Sequence, residues 1–346
     1  MSDTGYFPRG ESVLRQVHEE RLVGLFYGQR ALAIGALHPV NYTGTSQSTR
    51  GRKQPFRRLV RTATDFETIF FGTRTEADRV LTKVHKLHRR VHGELAENAG
   101  PFPAGTPYDA FNPGLMLWTA AVLFESAFYF YELFVRRLSD RERDAFWLDY
   151  VRFAELFGMP PEVAPPTYAA FAEWWDAKLS GPEMHLTDEA RRTGAFVAFK
   201  IPMPGGNQPA KRLHDLVMLG SLPPRVRELY GFSWSPAQAR AFPLAVAVLR
   251  GARAVAPAAV RRGSCARSYA LVAATERLRI ERGKPTPQLP ALQRRQAAVA
   301  ATNTTAGIDS RMSSPSEAPA GPGTPAAPAP GGRARPVGAH DPSVRG

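Results

Sequence analysis

Three histidines, His85, His88 and His92, stand at i, i+3 and i+7 in the run Val84-His-Lys-Leu-His-Arg-Arg-Val-His-Gly93, a spacing that on a helix could line up imidazoles for a metal. A wheel of about 100° per residue sorts them. Ala77, Val80, Val91 and Leu95 gather within about 40° of Val84, and His88 falls inside that apolar stripe. His85 and His92 lie at its edge, and Lys83, Lys86, Arg89 and Arg90 take the polar side. Zinc held by all three is the weaker reading, because the His-Glu-x-x-His spacing is absent and i, i+3, i+7 spreads the ligands along the helix. One imidazole among Val and Leu on a core-facing helix is what a haem axial ligand requires: the porphyrin is an apolar disc to be enclosed, and iron takes a neutral nitrogen. The wheel alone favours a plainer role, a buried histidine hydrogen-bonded to a carbonyl. His38, in Ala36-Leu-His-Pro39, is a second and weaker metal candidate, for which capping beside the proline is equally natural.

Upstream of these histidines the charge pattern is one-sided. No Asp or Glu occurs between Glu20 and Asp65, while Arg21, Arg30, Arg50, Arg52, Lys53, Arg57, Arg58 and Arg61 do. Haem propionates would suit such a stretch, since guanidinium pairs with carboxylate bidentately; an exposed basic loop accounts for Arg50 to Lys53. Arg58 and Thr62, four apart, would project from one helical face and hold a guanidinium and a hydroxyl over a ligand. A run of aromatics at Trp118, Phe124, Phe128, Tyr129, Phe130, Tyr131 and Phe134 reads first as core and second as a channel for an apolar substrate. Glu125 in that run needs a partner or a function. A salt bridge to arginine is the simpler account and a catalytic base the sharper one.

The elements that must position these residues are helices. Ser139-Asp-Arg-Glu142 is a capping box, Thr167 and Ser235-Pro236 begin two more helices, and Thr75 is expected to cap one reaching Glu94. Strand alternation is nearly absent, so the expected fold is all-α, a single multi-helix domain over residues 10–285. A flexible N-terminus over 1–9 and a Pro/Ala/Gly-rich disordered tail over 286–346 flank it. Among 346 residues the lone cysteine, Cys265, excludes a disulfide framework and any Cys-built zinc or iron–sulfur site. The formal charge of +14 is regional: Ser235 to Ala300 carries twelve Arg or Lys against Glu276 and Glu281. A solvated basic surface explains this first and an anionic membrane second. Nucleic acid comes third, for want of any recognition motif. Leu115 to Val135 is apolar enough to consider a membrane span, but Glu125 and Glu132 interrupt it. The polar start, Met1 to Glu11, has no apolar signal core, and a cytoplasmic location follows as the expectation, with peripheral contact to a membrane allowed.

The order of the motifs carries a resemblance. Ala36-Leu-His-Pro39, Arg58-x-x-x-Thr62 with Phe71-Gly72 downstream, Leu87-His88-x-x-Val91-x-Gly93, Leu117-Trp118, Leu156-Phe-Gly-Met-Pro160 and Leu222-Pro-Pro-x-Val-Arg227-x-x-Tyr-Gly231-x-x-Trp234 together resemble the MpaB-type oxygenase family, which includes the rubber oxygenases (latex clearing proteins). The resemblance spans roughly residues 10 to 280. It implies a globin-like core, haem b, dioxygen as co-substrate and an apolar, lipid- or isoprenoid-like substrate. Residue by residue, it implies His88 as the proximal ligand of the haem iron and Arg58 and Thr62 as the pair beside the haem. Arg61 stands where rubber oxygenases have a lysine; arginine does not deprotonate, so it would bind an anion rather than iron. The glutamate that rubber oxygenases carry upstream of the Arg-x-x-x-Thr pair has no counterpart, and Glu125 is the candidate to replace it. The other readings are a non-catalytic helical carrier of haem or a hydrophobic ligand at an anionic membrane surface, and a non-haem metal centre joining His88 to His38.

Overall fold

The computed structural model describes residues 4–47 and 54–284. Along the chain run α1 (Val13–His18), α2 (Arg21–Gly24), α3 (Tyr27–Gly35), α4 (Pro39–Gln47), α5 (Pro55–Phe71) and α6 (Arg74–His88), then β1 (His92–Glu94) and β2 (Pro107–Asp109). There follow α7 (Pro113–Phe134), α8 (Asp140–Leu156), α9 (Tyr168–Ser180), α10 (Asp188–Phe199), α11 (Gln208–Ser221), α12 (Pro224–Tyr230), α13 (Pro236–Val255), α14 (Ala258–Arg261) and α15 (Ala266–Glu281). The fold is all-α. The Arg50, Arg52 and Lys53 positions and the expected 286–346 tail lie outside the described residues.

Local chemistry sets the helix starts. Ser139 and Glu142, and Ser235 and Gln238, close reciprocal capping boxes, and Thr167 accepts from the Ala170 amide, as their sequences predict. The helix bearing the histidines differs at both ends. Thr73, not Thr75, caps it in a box with Glu76, and it stops at His88 instead of Glu94. Arg89 turns the chain, the Val91 amide donates to the His88 carbonyl at 2.8 Å, and residues 92–94 leave as a strand. That strand pairs antiparallel with β2, Gly93 opposite Tyr108. A side chain at Gly93 would come within 2.6 Å of the Tyr108 hydroxyl, which is why glycine stands there. Val91 and Leu95 keep helical spacing but pack with Val40, Ala99 and Tyr108 in a small cluster of their own.

The main core is built on α7. Among the described residues it alone is long and apolar enough to cross a membrane, and 61% of that window is buried in the protein. It packs against α3, α8 and α13. Trp118, Phe124, Phe130 and Phe134 are at most 1% exposed. Phe124 alone is ringed by Phe128, Phe146, Trp147, Tyr150, Tyr168 and Phe171. The aromatic run is therefore filled core, not an open channel.

The beginning of the chain is stitched to the end of the domain. The buried Glu20 carboxylate takes Arg253 bidentately at 2.7 and 2.8 Å and meets Arg262 at 3.6 Å. The Gly263 amide donates to the Glu19 carbonyl, and Glu67 accepts from the Cys265 amide at 2.7 Å. Glu276, on α15, accepts from the amides of Phe56 and Arg57 at 2.9 and 2.6 Å, satisfying the free N–H groups at the start of α5.

Candidate functional site

Helices α5 and α6 are joined by Gly72 and Thr73 alone, which makes them an antiparallel pair. Arg58, Thr62 and Asp65 share one face of α5 by spacing. Asp65 meets Lys83 of α6 at 3.9 Å. His88 is the last residue of α6, five beyond Lys83. Phe157, just past α8, lies 6.1 Å from the Phe66 ring of α5 and 6.2 Å from the His88 ring, filling the space between the helices. Phe111 stands edge-on to His88 at 5.9 Å. His85 is fixed by a 2.9 Å hydrogen bond to the Leu156 carbonyl. The Leu156-Phe-Gly-Met-Pro160 motif is thus the wall against which both histidines pack.

His88 is half-buried, and its Nδ1 atom is buried with no hydrogen-bond partner among the described residues. Burial, assisted by the neighbouring His85, lowers its pKa, so at neutral pH the ring is uncharged and keeps a lone pair for a ligand. An orphaned imidazole nitrogen of this kind normally has an account. Arg58 gives one guanidinium nitrogen to the Thr45 carbonyl at 3.1 Å, while Arg61 and Thr62 are exposed on the same turn. His92, on β1, is exposed and off the helix.

The remaining candidates lie elsewhere. His38 is 5% exposed, and its Nδ1 accepts from the Asn41 amide at 3.5 Å, capping α4; its Nε2 faces Glu183 at 3.9 Å. Burial pulls its pKa down to about 4. Glu125 is held by Arg30, itself 1% exposed: one contact is 2.9 Å, and the second guanidinium nitrogen bonds the other carboxylate oxygen and Ser126. Arg30 also donates to the Ser221 carbonyl and lies over the Tyr129 ring at 4.6 Å. Arg58 thus reaches the Thr45 carbonyl of α4, His88 packs on Phe111 and Phe157, Glu125 is taken up by Arg30, and His38 lies beside Phe102 and Trp118. No group of three His, Cys, Asp or Glu among the described residues is arranged to hold a metal ion.

Two buried histidines escape sequence reading. His18 bonds Tyr150 Oη at 2.7 Å and stacks on Phe70, and burial pulls its pKa down to about 3. His214 contacts Gln29 at 2.8 Å and Asp215 at 3.1 Å, over the Phe26 ring. Each lies in an apolar periodic run, and the partner that would have flagged it is on another helix. Two pockets are lined by other elements. One of about 480 Å³ lies between Leu133 and Phe242, Pro243, Val246, Ala247 and Arg250 of α13, and another of about 520 Å³ is lined by Phe196, Phe199 and Phe232 with Arg192 and Lys200.

The fold is that of an all-α protein, and its class comes from its family. The chain belongs to the family described as "ER-bound oxygenase mpaB/B'/Rubber oxygenase, catalytic domain", whose model matches residues 15–251. Among its relatives are uncharacterized proteins of Mycobacterium bovis and Mycobacterium tuberculosis, each 32% identical over 208 residues, covering 59% of this chain and 77% of the relative. No solved structure matches the chain.

Proposed function

We propose that the protein is a haem b-dependent oxygenase acting with dioxygen on an apolar, lipid- or isoprenoid-like substrate, with His88 as the ligand to the haem iron. The family supplies the oxygenase class. The observation that carries the rest is the unpartnered, buried nitrogen of a neutral His88 at the end of the α5–α6 pair. What supports the reading is an imidazole that keeps a lone pair, packed beside the rings of Phe111 and Phe157, with Arg58 and Arg61 of α5 as the groups to meet the carboxylates of haem. Bound there, haem would supply dioxygen activation that no side chain offers.

What the chain's own residues do is hold and orient. The His85 bond to the Leu156 carbonyl fixes the last turn of α6, and with it the direction of His88. Glu276 fixes the first turn of α5, which carries Arg58. Arg58 and Arg61 bind anionic oxygen, and Thr62 offers a hydroxyl on the same face. In this reading the helices enclose the group in a globin-like manner and Glu125 serves the fold rather than the chemistry. His38, occupied in capping α4, leaves the non-haem alternative without its second ligand.

Protein purified from haem-supplied cells is expected to show a Soret band that is lost or shifted in His88→Ala while the helical circular dichroism persists. No Soret band, or one unchanged by His88→Ala, overturns the assignment. Oxygen uptake in the presence of an unsaturated apolar substrate would then separate the oxygenase from a carrier that binds haem without turnover.

A further inference from the structure

A surface helix that ends its job at the core should show water a polar face. Helix α13 does the reverse. Phe242, Ala245, Val246, Leu249 and Arg253 point inward by spacing, Arg253 to reach Glu20. Directly opposite, Leu244, Val248 and Val255 form a single stripe and are 69%, 60% and 85% exposed, and Val260 on the adjoining α14 is 58% exposed. Gly251 lies in the same stripe, so nothing polar interrupts it between Leu244 and Val255. Scattered exposed aliphatics need no explanation, but a continuous row along the centre of an outer face does.

The charge around the row is equally one-sided. From Leu229 to Thr275 there is no Asp or Glu, whereas Arg240, Arg250, Arg253, Arg261, Arg262 and Arg267 fall in that span. Arg240 sits in the stripe one turn before Leu244, Arg250 lies on the side of the helix between the stripe and the core, and both are exposed. Arg253 and Arg262 are engaged by Glu20 and Arg261 is half-buried, while Arg240 and Arg250 on α13 and Arg267 at the start of α15 are exposed.

We propose that this face of α13 and α14 docks on an anionic lipid bilayer, the aliphatic row entering the headgroup–acyl boundary and the arginines meeting lipid phosphates. Charge complementarity chooses this occupant over a second copy of the chain, since a face-to-face pair would set two acid-free arginine surfaces against each other. An amphipathic helix with arginine on its flanks and aliphatics at its centre is the form that lies in a membrane interface. The proposal does not depend on the haem assignment.

Flotation of the full chain with phosphatidylcholine vesicles, with and without one-third phosphatidylglycerol, tests it. Binding is expected only to the anionic vesicles and is expected to weaken as salt rises. The triple variant Leu244→Gln, Val248→Gln, Val255→Gln, on exposed positions, should keep its melting temperature and lose tenfold or more in binding. Arg240→Gln and Arg250→Gln should each weaken it by about fivefold. Three outcomes overturn the proposal: no binding to anionic vesicles, binding undiminished in the triple variant, or light scattering that shows a dimer the triple variant breaks.

Discussion

At the residue scale the chemistry turns on which polar atoms have partners and which do not. Glu125 and His88 are both polar groups in apolar surroundings, yet Glu125 is satisfied by Arg30 while His88 Nδ1 is left without a bond. Removing one partner of a buried ion pair strands the other charge, so Glu125→Ala is expected to lower stability by about 3–5 kcal/mol in urea unfolding. A catalytic base would instead lose turnover with its melting curve unmoved. Arg61→Ala and Thr62→Ala should behave in the opposite way. Both side chains are exposed, so stability should stay within about 0.5 kcal/mol, while haem retention on gel filtration falls. If retention is unchanged in both, these side chains do not touch the group.

At the scale of elements, the sequence told starts better than stops. The capping boxes at Ser139 and Ser235 are local, reciprocal bonds within four residues, and they stand where their motifs put them. The end of α6 was not legible, because Val91 and Leu95 continue the helical rhythm of Val80 and Val84 while serving a different cluster across the β-hairpin. Strands of three residues are too short to show alternation at all. The site was half legible for the same reason: Arg58, Thr62 and His88 could be picked from helical faces, whereas Phe111 and Phe157, which wall it, come from distant turns. So does Glu276, whose carboxylate holds the first turn of α5 from 219 and 220 residues away. Glu276→Ala should free two amides and cost about 1–2 kcal/mol. It should also raise hydrogen exchange in the first turn of α5 without changing that in α8. Uniform exchange in both helices would place its effect elsewhere.

For the whole molecule, buried histidines set the response to acid. His18 and His38 are neutral in the folded protein, their pKa pulled by burial from 6.5 to about 3 and about 4. The unfolded chain binds those protons first, so the stability they confer is complete above about pH 6.5 and is lost as the pH falls toward 4. Each unit of separation is worth about 1.4 kcal/mol. Asp149 and Glu276, whose carboxyls burial pushes up, act in the opposite sense, but only nearer their own range. The melting temperature should therefore be lower at pH 5 than at pH 7, and this difference should shrink in His18→Gln. Equal melting at the two values would mean that these rings titrate in the native state as they do in the unfolded chain.

The bonds that tie Glu20, Glu67 and the start of α5 to Arg253, Cys265 and Glu276 also bear on how the protein is made. A chain emerging from the ribosome offers its first helices long before their partners exist, and contacts of such sequence separation form late. Until residues 253 and 262 have cleared the exit tunnel Glu20 waits without its arginines, and until residue 276 has cleared it α5 waits with open amides. The acid-free α13–α14 segment, and the aliphatic row on it, is made only after α1–α12, which build most of the main core.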